Sequence, residues 1–323
     1  MTAISPFALP ERLAAKSGPE FVGADEAHFA AIEAALASAV ADIGAQLEQV
    51  RGAPARLGQE LLERDLEVTR LAGRLRLLRR YALDLCLGRM VPADGGVVVY
   101  VGRIGLQDRA GQTLLVDWRT PAAEPFFAAT SAEPMGLASR RRYRWSLGRV
   151  IDYWDEVLAA GSDAVARRAR AGLALDAESS FLAGLGQSRT RRMRDVLGTL
   201  AADQDAIIRA DARGPLLVDG GPGTGKTVVA LHRAAYLLYA DPRLTRGGGS
   251  VLFIGPHEGY LAYVADVLPS LGDDGVQTAT LADLVSEAAG AGVERDPLAA
   301  ETKASAAMVE AIDQCYFQAA KAQ

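Results

Sequence analysis

The residue types best suited to chemistry in this chain lie in one glycine-rich loop, residues 220–227. The loop fits the phosphate-binding pattern G-x-x-x-x-G-K-[ST] at every required position. Glycines leave room for backbone N–H groups to turn inward and hold phosphate oxygens. The residues of the loop predicted to bind a nucleotide are Gly220, Gly221, Gly223, Thr224, Gly225, Lys226 and Thr227.

Lys226 is the only lysine between Lys16 and Lys303, in a chain whose other basic residues are nearly all arginine. A compact ammonium group can reach between two phosphates, whereas the planar guanidinium suits flat bidentate contacts. We therefore expect Lys226 to contact the β- and γ-phosphates of a nucleoside triphosphate. The Thr227 hydroxyl is the predicted ligand of Mg²⁺.

The segments around the loop predict an α/β fold. Residues 216–218 form a short apolar run that predicts a buried parallel strand before the loop, and helical spacing after Lys226 predicts a helix whose dipole favours anions. A second strand at residues 251–254, a helix at 260–268 and a β segment at 275–280 follow. Strands that alternate with helices indicate a parallel sheet, and residues 281–323 have helical character.

Residues 25–90 predict a long antiparallel helical hairpin of the coiled-coil type. Apolar residues repeat at heptad spacing in both arms: Phe29, Leu36, Ile43, Val50, and then Leu61, Val68, Leu75. Gly52, Pro54 and Gly58 indicate the turn between the arms. Acidic residues lie near the tip: Glu60, Glu63, Asp65 and Glu67. Two interpretations stay open, a bracket packed on its own domain or an arm that reaches into a partner.

Residues 95–155 predict a small antiparallel β domain, with a hairpin turn at residues 108–111. Within it, Asp117, Trp118 and Arg119 favour an ion pair and a packed indole that fix a turn, over a catalytic role. Basic residues cluster further on: Arg140, Arg141, Arg142 and Arg144. That cluster predicts either a solvated strand face or a contact with nucleic acid or an acidic partner. A second cluster, at residues 189–194, predicts a solvated helix face.

Two acidic motifs resemble metal sites but lie in the wrong places. Residues 25–28 read Asp-Glu-Ala-His, yet they lie at a predicted helix start, where Asp25 is explained as an N-cap. Asp155 and Glu156 lie before the loop in another predicted domain. No predicted strand after Lys226 ends in Asp-Glu, so the residues expected to orient the metal and the attacking water are not found. We expect nucleotide binding with little hydrolysis.

The length, net charge and cysteine content of the chain limit the classes of partner and the compartment that we expect. The chain has 323 residues and a net charge of −5, which argues against a whole-protein electrostatic contact with nucleic acid, although weak local binding stays open. Cys86 and Cys315 lie far apart and predict free thiols in a reducing cytoplasm. We expect no secretion signal and no membrane span.

Several segments together resemble the HelD/HelR group, RNA polymerase-associated ATPases related to the UvrD-type superfamily 1 helicases. The similarity covers nearly all of the chain to about residue 285. The segments that carry it are residues 100–106, 117–127, 202–209, 220–227, 231–239, 255–257, 263 and 267–272, and residues 135–145 are most similar to the HelR branch.

The resemblance implies an ATP site in a first RecA-like domain at residues 187–300, with Gln204 as the glutamine that reads adenine. It implies an arm at residues 25–92 that enters the secondary channel of bacterial RNA polymerase. Between them lies a β-rich domain at residues 93–186; residues 1–24 form a lead and residues 301–323 a helical tail. The implied activity is ATP-dependent recycling or remodelling of polymerase, with rifamycin displacement in some members.

The chain is shorter than members of that group and lacks the motifs of the second RecA-like domain. We therefore expect a truncated product or a fragment that binds ATP and Mg²⁺. Two alternatives stay open: a fragment of a UvrD-type DNA helicase, and a non-enzymatic module that binds polymerase.

Overall fold

The computed structural model describes residues 5–53, 58–159, 200–245, 250–264, 276–285, 292 and 294–321. The N-terminal part contains α1 Pro19–Gly52, α2 Gln59–Arg80, β1 Cys86–Pro92, β2 Val99–Gly102, β3 Leu106–Gln107, β4 Thr113–Asp117, α3 Glu124–Ala128, β5 Leu137–Ser146 and β6 Arg149–Val157. The later part contains α4 Ala202–Arg209, α5 Lys226–Ala240, α6 Pro242–Thr245, β7 Val251–Gly255, α7 Glu258–Val264, β8 Val276–Thr280, α8 Pro297–Lys303 and α9 Ala306–Lys321. Short 3-10 turns lie at Glu11–Lys16, Leu83–Leu85, Pro121–Ala123 and Ala282–Leu284.

The predicted helical hairpin is confirmed as α1 and α2, with different bounds. Pro19 occupies the first position of α1, where its fixed φ suits a helix and its missing N–H costs nothing. The second arm ends at Arg80 and not near residue 90, because Cys86–Pro92 is a strand that pairs with two neighbours. Pro54, in the predicted turn, lies outside the described residues.

The apolar heptad residues of α1 and α2 fall into two separate clusters along the length of the helical pair. Phe29, Ile32 and Leu36, near the start of α1, are buried against residues of the sheet. Leu47, Leu71 and Leu75 form a separate small cluster further out, between the two helices alone. One half of the pair is thus a bracket on the sheet, and the other half projects.

The β-rich region is a six-stranded sheet in the order β3-β4-β2-β1-β5-β6. The predicted turn at residues 108–111 joins β3 to β4, where Gly111 has a φ of 82°. The pairing is antiparallel as expected except between β2 and β4, which run parallel. Leu147 and Gly148 connect β5 to β6 with positive φ at both positions, which is typical of a two-residue hairpin turn.

Asp25 is not an N-cap, so that prediction was wrong. The residue lies inside α1, fully buried, where its carboxylate accepts hydrogen bonds from the Tyr100 hydroxyl at 2.8 Å and Arg141 Nη1 at 2.8 Å. Arg89 Nε lies 3.0 Å from the same carboxylate. A buried carboxylate needs such partners, because an unpaired charge in the interior costs several kcal/mol, roughly. Asp25 therefore fixes α1 to strands β1, β2 and β5.

Three of the four arginines in the predicted cluster on β5 are buried, so they form no solvated strand face and offer no surface to a nucleic acid or an acidic partner, whereas Arg144 is partly exposed. Arg140, Arg141 and Arg142 are less than a tenth exposed. Arg141 donates to Asp155 at 2.8 and 2.7 Å, and Arg140 donates to Glu156 at 2.8 Å. These acids lie directly opposite on β6, so charge pairing reinforces the strand register.

The electrostatics of Asp155 and Glu156 follow from that pairing. Burial opposes their ionisation, but the adjacent guanidinium groups outweigh burial and lower the pKa of both carboxyls. Arg142, on the same strand, also pairs with Glu156. Burial and the neighbouring Arg140 charge lower its pKa to about 10, which leaves it charged at neutral pH. Both acids are thus occupied by arginine, and the metal role that the sequence disfavoured has no support here.

The predicted strand at residues 216–218 is not formed, and that prediction was wrong. Leu216 and Leu217 are 45% and 91% exposed, and the segment pairs with no strand among the described residues. A buried parallel strand needs hydrogen-bonded neighbours and helices on both faces. In the part of the chain around the loop, β7 pairs parallel with β8, which confirms the strands expected at 251–254 and 275–280. Among the described residues these two strands form a sheet of their own, so the predicted RecA-like parallel sheet is not evident.

By length and composition, α1 could cross a membrane, and no other described helix could. The expectation of no such segment was therefore too strict, because alanine makes α1 apolar without a continuous run of large residues. Its large apolar side chains pack on the sheet and on α2 in this fold. The arginines of the second basic cluster lie outside the described residues.

Candidate functional site

The glycine-rich loop leads directly into α5, as predicted. Gly225 precedes the helix with a φ of 87°, and Gly223 has a φ of 78°, a region that side chains disfavour. A Cβ on Gly220 would approach Thr224 Oγ1 to 2.8 Å. The Lys226 ammonium lies across the loop and donates to the carbonyl oxygens of Gly220 and Gly221 at 2.6 and 2.8 Å.

Gln204 lies beside the loop, although 20 residues separate it from its loop partner. Its Nε2 donates to the Thr224 carbonyl at 3.2 Å, and its Oε1 accepts from the Ala201 N–H at 3.2 Å. An amide has two donor hydrogens and two acceptor lone pairs. One of each is used here, so one donor and one acceptor are left for the edge of a base.

Helices α4 and α5 are fixed to one another by Arg233 on α5. Its guanidinium donates to the carbonyl oxygens of Ile207, Ile208 and Ala210 at 3.0, 3.1 and 2.6 Å. The last carbonyls of a helix have no partners within the helix, so an arginine from outside can satisfy them. This contact sets the position of Gln204 relative to the loop.

The turn at residues 117–119 contacts both α4 and α5. Arg119 donates to Asp117 at 2.9 and 2.8 Å, and Trp118 is fully buried, so the predicted ion pair and packed indole are confirmed. Arg209 at the end of α4 donates to the Trp118 carbonyl at 2.7 Å. The Arg119 guanidinium lies 4.6 Å from the Tyr239 ring centroid, on α5. The turn thus connects the sheet to the loop helix.

His232 is buried where α5 meets that turn. Its ring makes an edge contact with Trp118, and Nδ1 lies 2.7 Å from the Val228 carbonyl. Burial is the main cause that lowers the pKa of His232 to about 4. The side chain is neutral at physiological pH and acts as part of the core.

Sequence reasoning missed two polar partners of the loop. The Tyr260 hydroxyl on α7 lies 3.0 Å from Thr227 Oγ1, and Asp219 Oδ1 accepts from the Gly220 N–H at 2.7 Å. The sequence could have indicated Asp219, because this residue directly precedes the loop. Nothing in the sequence pairs Tyr260 with Thr227, which is 33 residues away.

The donor set fits a triphosphate with magnesium. The loop supplies an ammonium, glycines at positions of positive φ and a hydroxyl at the start of a helix. Among the described residues, no group of His, Cys, Asp or Glu could hold a metal ion without a ligand's help. A threonine hydroxyl completed by phosphate oxygens is the usual arrangement for Mg²⁺, which binds few protein groups.

The acidic residues near the tip of α2 are not part of this site. Glu63, Asp65 and Glu67 hydrogen-bond to Gln59, Arg64 and Arg70 on the same helix. Leu62 and Leu66, on the same stretch, are each 61% exposed. The tip therefore presents acidic and apolar side chains together.

Comparison with known families gives a match in the N-terminal portion of the chain. Residues 22–171 match the family model for the N-terminal domain of DNA helicase IV HelD. The chain is HelD-like over its N-terminal portion. The HelD-like portion contains the helical pair and the six-stranded sheet, and the loop lies beyond it. A search of curated proteins found no match to the chain.

Proposed function

We propose that this chain binds ATP with Mg²⁺ at residues 220–227. The observation that carries the proposal is the convergence of Lys226, Thr227 and Gln204 at the start of α5. Lys226 would hold the phosphates, Thr227 would hold the metal, and Gln204 would contact the base. Magnesium would offset phosphate charge, while the chain's own residues orient the nucleotide.

Calorimetric titration of ATP in Mg²⁺ tests this proposal on the whole chain. We expect saturable binding that Lys226→Ala weakens about 10- to 100-fold, the value of hydrogen bonds to a charged group. Lys303→Ala is the matched control, because Lys303 contacts Glu294 far along the chain. No binding by the unmodified chain, or equal binding by the Lys226 variant, would contradict the proposal.

We further propose a bacterial RNA polymerase as partner and the cytoplasm as compartment. Support comes from the HelD-like portion, from the acidic and apolar tip of α2, and from Cys86, a free buried thiol. Polymerase recycling or remodelling, with rifamycin displacement, is the activity that we propose from the resemblance to the HelD/HelR group. For this chain we propose binding with little ATP turnover.

Binding measurements with purified RNA polymerase test whether the acidic residues near the start of α2 form the contact. Neutralising Glu60, Glu63, Asp65 and Glu67 should weaken binding, and the loss should shrink at high salt because exposed charges are screened. Neutralising Glu301 and Glu310, which are exposed on α8 and α9, is the control. Equal affinity of both variants would exclude the tip as the contact.

The two alternatives have different signatures. A DNA helicase fragment would bind single-stranded DNA with steep salt dependence. Three of the four β5 arginines that favoured this alternative, Arg140, Arg141 and Arg142, are buried. A non-enzymatic module would bind polymerase and show no ATP binding in the calorimeter.

A further inference from the structure

The hydroxyl of Thr227 has a partner that no sequence motif assigns to it. Tyr260 Oη lies 3.0 Å from Thr227 Oγ1, and either oxygen can be the donor. Both side chains are half-buried, so the contact is sheltered from bulk water in part. The pair joins the first turn of α5 to α7.

Tyr260 is held in place by the end of β7. Its ring lies parallel to that of Phe253, with centroids 6.4 Å apart. Its backbone N–H contacts His257 Nδ1 at 3.0 Å, which fixes the start of α7. Gly255 allows this close approach, because a Cβ there would lie 2.5 Å from Leu261 and 3.0 Å from the Tyr260 ring.

The contact between Tyr260 and Thr227 matters for metal binding because of how a hydroxyl group acts as a ligand. A threonine hydroxyl has one hydrogen and two lone pairs. When a lone pair binds a cation, the hydrogen must point away from the cation and needs an acceptor. The Tyr260 oxygen is at the right distance to accept it, which would leave the lone pairs of Thr227 directed to the metal.

We propose that Tyr260 is a positioning residue for Mg²⁺, acting through Thr227. This inference rests on the proposed nucleotide site and deepens it. Groups that orient a metal ligand typically change metal affinity about 10- to 100-fold when they are removed. Tyr260 should therefore affect nucleotide binding only when the metal is present.

ATP titrations in Mg²⁺ and in EDTA test this role. Tyr260→Phe keeps the ring that packs on Phe253 and removes only the hydroxyl. We expect its ATP dissociation constant to rise about 10-fold or more in Mg²⁺ and to stay unchanged in EDTA. Tyr263→Phe on the same helix, where Tyr263 is 41% exposed, is the matched control and should behave as the unmodified chain.

A double-mutant cycle gives a second readout. In a Thr227→Val background, where no hydroxyl remains to be oriented, Tyr260→Phe should cost nothing further. Additive losses would overturn the inference, as would an equal loss of affinity in EDTA or an unchanged affinity of Tyr260→Phe in Mg²⁺. Absence of any ATP binding by the unmodified chain would overturn the proposed function as well, which separates the two failures.

Discussion

At the scale of single residues, buried charges are what the sequence described least well. Asp25 was predicted as a helix N-cap, and the β5 arginines as a solvated strand face or a contact with nucleic acid or an acidic partner. Charged side chains are mostly exposed, and burial is the exception. Their burial depends on partners from distant parts of the chain: Arg141 lies 116 residues from Asp25. Sequence periodicity reports which face of an element is apolar, and it cannot show that opposite charges meet there.

Removal of one of these charges should be costly. We expect Arg141→Leu to lower the free energy of unfolding by about 3–5 kcal/mol, because it leaves Asp25 and Asp155 buried with fewer partners. Arg109→Leu is the control: Arg109 also pairs with α1, at Asp42, but is 77% exposed, and such pairs contribute about 0–1 kcal/mol. Urea denaturation of both variants measures the difference, and equal losses would contradict this interpretation.

His232 should make the fold sensitive to mild acid. Its pKa falls from 6.5 in the unfolded chain to about 4 in the folded one, so only the unfolded chain binds the proton between these values. Stability is therefore complete above pH 6.5 and is lost as the pH falls toward 4, by about 3 kcal/mol in total. His232→Leu should flatten this part of the pH profile of the unfolding free energy, whatever its absolute stability. A profile with the same slope in both proteins would refute the assignment.

At the scale of elements, the sequence predicted the helices well and the sheet around the loop poorly. Heptad spacing in α1 and α2 and helical spacing after Lys226 are local properties, and both were confirmed. Residues 216–218 have the composition of a buried strand, but a strand exists only where a neighbour pairs with it. Cys86–Pro92 was missed for the opposite reason, because its pairing partners and not its own pattern make it a strand.

Two glycines should respond to the same substitution in opposite ways. A Cβ on Gly88 in β1 would lie 2.2 Å from the Arg141 carbonyl and 2.6 Å from the Phe126 ring, so Gly88→Ala should prevent stable folding. Gly44 lies in α1 with nothing within 4 Å of a Cβ. Gly44→Ala should therefore stabilise the chain by about 0.5–1 kcal/mol, since glycine is a poor helix residue. Thermal unfolding measures both, and a folded, stable Gly88 variant would contradict the packing described for β1.

At the scale of the whole molecule, one apolar cluster joins the HelD-like sheet to the loop region. Leu87 and Val101 of the sheet share it with Ile208, Val229 and Leu231 of α4 and α5. Trp118 lies in the same cluster, fully buried. A ligand bound at the loop therefore stabilises contacts that the sheet also needs.

Nucleotide binding at the loop should therefore also raise the unfolding free energy that is measured at the edge of the sheet. With ATP and Mg²⁺ at about 100 times the dissociation constant, the unfolding free energy should rise by about 2.7 kcal/mol. In a variant with Trp145→Phe and Trp154→Phe, the fluorescence of Trp118 should report that increase. An unfolding transition of Trp118 that ignores the ligand would mean that the sheet and the loop region unfold independently.

We propose that residues 220–227 hold the phosphates of ATP and that Thr227 holds its metal. Hydrogen exchange of backbone amides, followed with and without ATP and Mg²⁺, tests it most directly because those amides are the proposed phosphate contacts. We predict slower exchange at residues 220–228 and 257–264, and a smaller change in Lys226→Ala at the same ATP concentration, because that variant binds ATP more weakly. Unchanged exchange across the loop at saturating ATP, or protection confined to another part of the chain, would show that the phosphates are not bound at residues 220–227.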